Sequence, residues 1–467
     1  MRQADRRRTP TRLMTPLPAE TPLHRMAAAI ESGEVSVREV VETALHRIET
    51  LDVGLNAFTL VLHESARVAA AHADTEIAAG RYRGPLHGIP ISIKDLIDVA
   101  GVPTTAASQV TDRSPAGADA PVVARLKEAG AILIGKCNLH EFAFGTTGED
   151  SAFGPTRHPL DPNRSPGGSS SGSAVSVATG MATASVGTDT GGSIRIPAAA
   201  CGLVGVKPTF GELPGDGIVP LGPSLDHVGP LTRCVADARL MFTAMRGASL
   251  SAGSGQTTPL TRRLGCPRPY FLDQLDDGVR ATFEQALERL LDDAWTVSTS
   301  PIRHARDTAT VCLHLLLPEA AAVHASSLDR HGAAYTQGVR LRLEMGRYVL
   351  AEDYARAQRG RAVLTQTVDD ALGDHDALVL PSLAIPAPRL GADTVEIAGR
   401  SVSVRNVTLR LTQLFNATGH PAMSIPCGLT TGGLPVGLQL VGRRSHTAQL
   451  LDVAEACEQS LFLQQPT

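Results

Sequence analysis

Two serine-rich, glycine-flanked segments carry the residues of this chain best suited to nucleophilic chemistry. Ser169 lies in PGGSSSG at 166–172, and Ser193 lies in TGGSIR at 190–195. A serine hydroxyl is a weak nucleophile until a neighbouring base accepts its proton. Glycines beside it let backbone N–H groups approach a substrate and stabilise the negative charge that develops there. Residues 167–195 contain no histidine, so the base must come from another part of the chain.

A lysine at the end of an apolar segment is a candidate for that base. Isoleucines at alternate positions of 89–93 predict a strand with one apolar face, and Lys94 follows them directly. A lysine accepts a proton only when it is neutral, and its ordinary pKa of about 10.4 leaves it almost fully charged at neutral pH. Burial against apolar side chains lowers the pKa of a lysine. The alternative is that Lys94 extends its ammonium group into solvent at the strand end.

Five segments, in this order, resemble the amidase signature family. They are GIPISIKD at 88–95, PGGSSSG at 166–172, GTDTGGSIRIPAAACGLVGVKPT at 187–209, NATGHPAMSIPCG at 416–428 and GLPVGLQLVGRR at 433–444. The resemblance extends from about residue 25 to the end of the chain. It implies an α/β fold with a mixed central β-sheet covered on both faces by α-helices. It also implies hydrolysis of carbon–nitrogen bonds other than peptide bonds.

The resemblance implies a catalytic role for three residues. Ser193 is expected to be the nucleophile that forms an acyl-enzyme. Ser169, held after a cis peptide bond from Gly168, is expected to pass the proton of Ser193 to the base. Lys94 is expected to be that base, which requires a lowered pKa.

The resemblance also implies supporting groups around the nucleophile. The oxyanion hole is expected to consist of the backbone N–H groups of Thr190, Gly191, Gly192 and Ser193. Structural support is expected from Gly168, Ser170, Asp189 and Arg195. A helix is predicted over 194–200, with Pro197 in its first turn. Ser171 stands where the family usually has glycine, so it either strains a positive φ or adds a hydroxyl near the pocket.

Substrate-binding residues are expected in the segment after Asn138. The candidates, by their position in the family, are Ala143, Phe144, Gly145 and Thr146. Phe144 can equally be a core residue. Asp150 replaces a family asparagine, and its carboxylate either recognises a cationic substrate or braces a turn. His420 and the helix near residue 340 are further candidates.

Several substrate classes remain open for an acyl-serine enzyme. A small-molecule amide that releases ammonia or an amine is favoured, and a carbamate, an anilide or an ester is the alternative. One specialised family member, the A subunit of a glutamine-dependent tRNA amidotransferase, has an aspartate where this chain has Leu409, although Arg342 matches an arginine of that protein. Without the carboxylate, the ammonium group of glutamine lacks a partner. A stand-alone amidase is therefore favoured over that amidotransferase component, and over an inactive binding protein on the same fold.

Two shorter motifs suggest other functions and are not favoured. GSSSG at 168–172 matches a nucleophile elbow with Ser170 as the nucleophile, but an elbow follows a strand and this one follows a proline-rich segment. GAILIGKC at 130–137 nearly matches a phosphate-binding loop, but its AILI is typical of a buried strand. The histidines and cysteines lack metal-ligand spacing, so we expect no metal and no cofactor.

Composition and charge indicate which classes of partner and which cellular location to expect. The chain of 467 residues has a net charge of −4, and its longest basic run is Arg6–Arg8, which argues against nucleic acid. No apolar run predicts a membrane span. Seven dispersed cysteines favour reduced thiols in a cytoplasmic protein. We therefore expect a cytoplasmic monomer or homodimer that acts on a small molecule, without a nucleic-acid or membrane partner.

Periodicity predicts alternating helices and strands that position these residues. Ser36 and Glu39 predict a capping box at the start of an amphipathic helix. Further helices are predicted at 63–79, 121–129, 278–292 and 336–371, strands near 131–135, 182–187, 203–207, 377–381 and 435–441, and a flexible loop at 247–262. Residues 1–24 are expected to be a poorly ordered extension. Residues 25–467 are expected to form one domain, because distant signature segments must converge.

Overall fold

A computed structural model describes residues 21–248 and 259–462 of the chain. The helices are α1 (Leu23–Glu31), α2 (Val37–Leu55), α3 (His63–Ala78), α4 (Pro121–Glu128), α5 (Ser171–Ala178), α6 (Arg195–Cys201), α7 (Val235–Arg246), α8 (Asp277–Asp292), α9 (Thr308–His331), α10 (Gln337–Gly346), α11 (Ala351–Leu372), α12 (Val404–Leu409), α13 (Leu414–Ala417) and α14 (Thr447–Phe462). The strands are β1 (Phe58–Val61), β2 (Pro90–Lys94), β3 (Ile132–Cys137), β4 (Ala184–Asp189), β5 (Val204–Lys207), β6 (His227–Thr232), β7 (Arg263–Cys266), β8 (Thr296–Thr299), β9 (Ala377–Pro381), β10 (Thr394–Ile397), β11 (Arg400–Ser403), β12 (Ala422–Leu429) and β13 (Pro435–Val441).

One mixed sheet organises the described part of the chain. Its strand order is β1-β3-β2-β4-β6-β5-β12-β13-β9-β7-β8, and β10 and β11 form a separate hairpin. Strand β2 lies between β3 and β4 and runs parallel to both. The helices that pack against this sheet complete an α/β fold, as predicted from the sequence.

Strand β2 is buried on both faces, which differs from the single apolar face predicted for it. All five of its residues are buried. The polar residue of the strand, Ser92, places its hydroxyl 2.9 Å from that of Ser176 and 2.8 Å from that of Ser185. Because neighbouring hydroxyls satisfy it, a serine is tolerated where the alternation suggested contact with solvent.

Most of the predicted elements are confirmed within a few residues. The capping box at Ser36 is present, with the Ser36 side chain accepting a hydrogen bond from the Glu39 N–H. The helix predicted over 336–371 is wrong as a single element, because α10 ends at Gly346 and α11 begins at Ala351. At Gly346 a Cβ would lie 2.1 Å from the carbonyl oxygen of Leu317, so α10 crosses α9 at close range.

The long helix α9 was not predicted. It lies within 305–334, the one helical segment of the described residues that is long and apolar enough to cross a membrane by composition alone. Length and composition alone do not distinguish a membrane span from a buried helix, so α9 does not overturn the expectation that no apolar run predicts a span. The core helix of a globular protein has the same composition, and α9 buries Val311, Leu315 and Ala320 against the rest of the fold.

The expected N-terminal extension and the expected flexible loop can be compared with the residues that the structure describes. Helix α1 begins at Leu23, just inside the predicted extension, and the carboxylate of Asp237 accepts the backbone N–H of Leu23 at 2.8 Å. Residues 1–20 lie outside the described part of the chain. Most of the flexible loop predicted at 247–262 also lies outside it, at 249–258.

Candidate active site

Strands β2 and β4 bring two candidate groups to the same edge of the sheet. The two strands are parallel, and Ile93 pairs with Val186. Lys94 is the last residue of β2, and Thr188 lies one residue before the end of β4. The carboxyl ends of neighbouring parallel strands lie side by side, so the two side chains can meet.

The ammonium group of Lys94 contacts two hydroxyls. Its Nζ donates to Oγ of Ser169 at 2.8 Å and to Oγ1 of Thr188 at 2.8 Å. The side chains of Lys94 and Ser169 are completely buried. The sequence alternative, a lysine extended into solvent, is therefore wrong.

Burial gives Lys94 an unusual proton affinity. It lowers the pKa of Lys94 to about 7, against a smaller opposing effect of the Asp189 and Asp226 charges. A second buried lysine, Lys136 on β3, has a different environment, because its Nζ lies 3.0 Å from a carboxylate oxygen of Asp95. Among the described residues, no carboxylate forms an ion pair with Lys94.

Ser169 follows a cis peptide bond from Gly168, as the resemblance implies. A Cβ on Gly168 would lie 2.8 Å from the backbone nitrogen of Gly148, so a side chain does not fit there. The backbone N–H of Ser170 donates to the carbonyl oxygen of Ser193 at 3.2 Å. This bond joins the segment of Ser169 to the loop of Ser193.

The loop over residues 190–193 presents unpaired N–H groups beside Ser193, which is 5% exposed. Within the described chain, the backbone N–H groups of these four residues donate no hydrogen bond to the protein. The next two N–H groups, of Ile194 and Arg195, donate to Oδ2 of Asp189 at 3.1 and 3.3 Å. Free backbone donors next to a hydroxyl nucleophile are suited to stabilising an oxyanion.

Two glycines shape this loop. Gly192 has a φ of +137°, and a Cβ on it would lie 2.3 Å from Oγ1 of Thr412. The Thr412 hydroxyl in turn donates to the carbonyl oxygen of Gly191 at 2.6 Å. A Cβ on Gly191 would lie 3.1 Å from Cδ2 of Leu409, so Leu409 packs directly against the loop.

Arg195, just after this loop, anchors it through a buried polar network. Its guanidinium donates to Oδ1 of Asp189 at 2.9 Å, to Asn416 at 2.7 Å and to Gln439 at 2.7 Å. Burial alone would raise the pKa of Asp189, but the charges of Arg195 and Lys207 and the hydrogen bond from Asn416 hold it well below its usual range. The Asp189 carboxylate is therefore a buried acceptor that joins the end of the loop to Arg195 and Asn416.

The four predicted pocket residues have different environments. Ala143 lines a cavity of about 240 Å³ that Thr188 and Thr190 also line. Phe144 is 1% exposed and belongs to the core. Its ring nevertheless lies beneath two arginines, with the guanidinium carbons of Arg342 and Arg405 at 5.2 and 5.8 Å from its centroid.

Gly145 and Thr146 have structural explanations. A Cβ on Gly145 would lie 2.0 Å from the ring of His140, so glycine is needed for that contact. The carbonyl carbon of Thr146 lies 3.1 Å from where a Cβ on Gly168 would be, and this places the segment against the cis peptide. Of the four residues, Ala143 lines a cavity with Thr188 and Thr190, and the substrate-binding role of all four stays a prediction.

Two sequence uncertainties are resolved by local contacts. Ser171 is the first residue of α5, and its hydroxyl donates to Thr156 Oγ1 at 3.1 Å, so its φ is not strained. A carboxylate oxygen of Asp150 lies 3.3 Å from Nε2 of His140, and the nearby His140 ring lowers the pKa of the Asp150 carboxyl. Asp150 therefore braces the segment after Asn138.

His420 lies apart from the nucleophile. It is buried, and its ring nitrogens lie 2.9 Å from Asp369 Oδ1 and 2.9 Å from Thr418 Oγ1. Its carbonyl oxygen accepts a hydrogen bond from Lys207. The residue therefore stabilises the loop before β12, whereas the helix near residue 340, α10, places Arg342 over the ring of Phe144.

The competing motifs do not have the structures that their functions need. The described residues directly before Ser170 form no strand, and its buried hydroxyl donates to the carbonyl oxygen of Thr188 at 3.2 Å. The segment 130–137 forms strand β3 instead of a phosphate-binding loop. The sequence interpretation against both motifs is confirmed.

One side-chain cluster, which the sequence spacing did not predict, resembles a metal site. His24, Cys234 and Asp237 bring their ligand atoms within 4.8 Å of one another. However, Nδ1 of His24 lies 2.7 Å from Asp237 Oδ1, and burial together with Asp237 raises the pKa of the Cys234 thiol. The carboxylate of Asp237 accepts the backbone N–H groups of Leu23 and His24, so its contacts are explained by docking of α1.

Comparisons with known proteins agree with this fold. The model of the Amidase family matches residues 39–451. An amidase of Pseudomonas putida is 38% identical, with 88% of this chain and 90% of that protein covered. The A subunit of glutamyl-tRNA(Gln) amidotransferase from Anaeromyxobacter dehalogenans (strain 2CP-C) is 36% identical, with 94% and 96% covered. A solved amidase crystal structure superposes with a TM-score of 0.89 at 36% identity, with 94% of this chain and 100% of that chain covered.

The fold and these matches define an amide hydrolase of the α/β class. The chain belongs to the amidase family, which carries the amidase signature.

Proposed function

We propose that this protein hydrolyses a small-molecule amide through an acyl-Ser193 intermediate. The Ser193–Ser169–Lys94 relay moves the protons, and the products are a carboxylic acid and ammonia or an amine. The observation that carries the proposal is the buried Lys94 ammonium, which bonds to Ser169 at 2.8 Å without an adjacent carboxylate. With a pKa of about 7, this lysine is available as a base near neutral pH.

The relay accounts for each proton in the reaction. Oγ of Ser193 attacks the amide carbon while its proton passes to Ser169, whose own proton passes to neutral Lys94. The backbone N–H groups of 190–193 stabilise the oxyanion. Lys94 then returns the proton through Ser169 to the leaving nitrogen as the carbon–nitrogen bond breaks. Water attacks the acyl-serine by the same route, which releases the acid and restores Ser193.

Carbamates, anilides and esters are alternative substrates for the same relay, because each presents a carbonyl that Ser193 can attack. A glutaminase component of a tRNA amidotransferase is a weaker candidate, although proteins with that name are among the relatives. Leu409 packs against the oxyanion loop and offers no charge to an ammonium group. We further propose a cytoplasmic monomer or homodimer without a cofactor; all seven cysteines are free thiols.

A substrate panel tests the proposed reaction. Matched amides, anilides, carbamates, esters and glutamine are incubated with the purified protein, and ammonia, amine and acid are quantified. We expect amides to give acid and nitrogen product in equal amounts, with Ser169→Ala strongly reduced. Turnover of glutamine alone, or activity that appears only with a co-purified partner, would favour the amidotransferase component instead.

The charges above Phe144 favour an amide with an anionic or carbonyl-rich acyl group. Nε and Nη2 of Arg342 are buried and have no hydrogen-bond partner within residues 21–248 and 259–462. Burial and the neighbouring Arg342 charge lower the pKa of Arg405 to about 9. Arg405 also lines a cavity of about 530 Å³ together with Leu409, which contacts the oxyanion loop. Because Arg342 has unpaired donors and its charge acts on Arg405, a bound anion stabilises the two guanidinium groups.

Removing either arginine is expected to weaken turnover of an anionic amide selectively. For Arg405→Met or Arg342→Met, we expect kcat/KM for the monoamide of a short dicarboxylic acid to fall about 10- to 100-fold, the size of a lost charged hydrogen bond. A neutral amide of equal length should change much less. The matched control is Arg340→Met, because Arg340 on the same helix is exposed and paired with Glu344. Equal losses on both substrates would contradict a charge-reading role.

A further inference from the structure

Asp226 lies directly behind the candidate oxyanion loop, in the segment just before β6. Its Oδ1 accepts a hydrogen bond from Oγ1 of Thr190 at 2.6 Å, and its Oδ2 accepts the backbone N–H of Leu221 at 2.9 Å. The backbone N–H of Gly222 lies 3.2 and 3.1 Å from the two oxygens. The carboxylate thus ties the first residue of the oxyanion loop to a neighbouring turn.

Asp226 also shares a cavity with a partner of Lys94. Thr188, Thr190 and Asp226 line the same cavity of about 240 Å³. Thr188 accepts a hydrogen bond from Nζ of Lys94 at 2.8 Å. Because Asp226 is half-buried at the cavity wall, its charge is screened less than that of an exposed carboxylate and acts on Lys94.

The turn that carries Asp226 is fixed by two helices. Glu319 of α9 accepts hydrogen bonds from the Ser224 N–H at 3.0 Å and from the Ser224 hydroxyl at 2.6 Å. From α11, Tyr354 donates to Glu319 at 3.1 Å and Arg361 donates to Ser224 at 2.6 Å. The Asp226 carboxylate is therefore an acceptor held at a defined position.

We propose that Asp226 is a positioning residue of the reaction, which holds Thr190 at the oxyanion loop and whose negative charge sets the proton affinity of Lys94. This inference rests on the proposed function, because it gives Asp226 a part in the same relay. A carboxylate with a structural role alone would stabilise the fold without changing the pH dependence of turnover.

The charged and titratable groups that face Asp226 come from four elements. Glu319 on α9 acts on Asp226, and Asp226 acts on Lys94 on β2. Asp189 on β4 also acts on Lys94, and His227 on β6 lines the same cavity as Asp226. Burial holds the pKa of His227 well below its usual range, so this ring stays neutral. Burial raises the pKa of Asp226 to about 6, against the opposing effect of its hydrogen bonds. Asp226 is therefore ionised above that pH, where its charge favours the protonated form of Lys94.

Asp226→Asn removes the negative charge of the side chain and keeps its size and shape. Without the negative charge, Lys94 loses its proton more readily, so the acidic limb of the kcat/KM profile should move to lower pH by about one unit. The value of kcat at the plateau should fall about tenfold, less than the 10²–10³-fold loss of a whole oxyanion donor. The pH dependence of fluorophosphonate labelling should shift in the same direction.

Thr190→Val tests the positioning part on its own. It removes the hydroxyl that donates a hydrogen bond to Asp226 and keeps the backbone N–H of residue 190. We therefore expect kcat to fall about as much as in Asp226→Asn, and the acidic limb of the kcat/KM profile not to shift. The double variant should show no further loss, because the two residues act through one contact. Thr190→Ser should restore kcat, and Asp112→Asn, which alters an exposed carboxylate bonded to Ser114, should change neither property.

The outcomes separate this inference from the proposed function. An unshifted acidic limb in folded Asp226→Asn, or fully additive losses in the double variant, would overturn the role of Asp226 and leave the relay intact. If Asp226→Asn does not fold, additivity cannot be measured, and an unchanged kcat in Thr190→Val would then overturn the positioning role. If Lys94→Met keeps the acidic limb of the wild-type kcat/KM profile, the Ser193–Ser169–Lys94 relay is overturned.

Discussion

Ser193→Ala should abolish covalent labelling of the protein by a fluorophosphonate and lower kcat by on the order of 10⁵- to 10⁶-fold. Ser193 is 5% exposed and lies beside four backbone N–H groups that donate to no acceptor in the described chain. Alanine removes the atom that forms the acyl-enzyme and leaves those donors in place. Intact-mass spectrometry of treated wild type and variant measures the adduct, and amide turnover measures the loss.

Ser170→Ala is the matched control for this labelling. Ser170 lies in the other serine cluster, and its buried hydroxyl donates to the carbonyl oxygen of Thr188 at 3.2 Å, so it is not free to attack. We expect this variant to retain the adduct. An adduct that survives Ser193→Ala and disappears in Ser170→Ala would transfer the nucleophile to Ser170.

Lys94→Met should remove most of the turnover, by about 10²- to 10⁴-fold, which is the usual contribution of a general base. In the wild type, kcat/KM should rise with pH through about 7 and then level off, because burial lowers the pKa of Lys94 to about 7 and only the neutral form accepts a proton. Below that pH, Lys94 is protonated and activity is lost. The pH profile of kcat/KM, measured on a neutral amide, tests the sign and the midpoint.

Lys94→Arg distinguishes a base from a positive charge. A guanidinium keeps the charge and can donate to the Ser169 and Thr188 hydroxyls, but it does not lose its proton in this pH range. We therefore expect Lys94→Arg to be as inactive as Lys94→Met. Substantial activity in folded Lys94→Arg would rule out proton transfer to this residue, and thermal unfolding shows whether either variant is folded.

Local pattern was sufficient for many elements, and the resemblance implied the fold class. The capping box at Ser36, strand β2 before Lys94 and helix α6 after the Ser193 loop depend on neighbouring residues, and all three are present. The division of 336–371 into two helices was missed. Gly346, where α10 ends, packs closely against Leu317 of α9, and local pattern does not report a contact between residues so distant in sequence.

For the site too, the sequence singled out some residues and missed others. The resemblance singled out Lys94, Ser169 and Ser193 from short segments, and their roles remain predictions for the experiments above. Sequence reasoning missed Thr188 as a partner of Lys94, although it lies within a quoted motif. It also missed Asp226, which belongs to no motif and contacts the site only through the folded turn before β6.

The sequence by itself determined the family, the α/β class and the identity of the candidate nucleophile, relay and base, because these depend on residue type and spacing within short segments. Only the tertiary structure decided the state of those groups. The pKa of Lys94 depends on complete burial and on distant carboxylates, and the chain brings Asp189, Arg195 and Asn416 into one network through long-range contacts. Burial and charge at a site are properties of the packed chain, since they arise from every element that surrounds it.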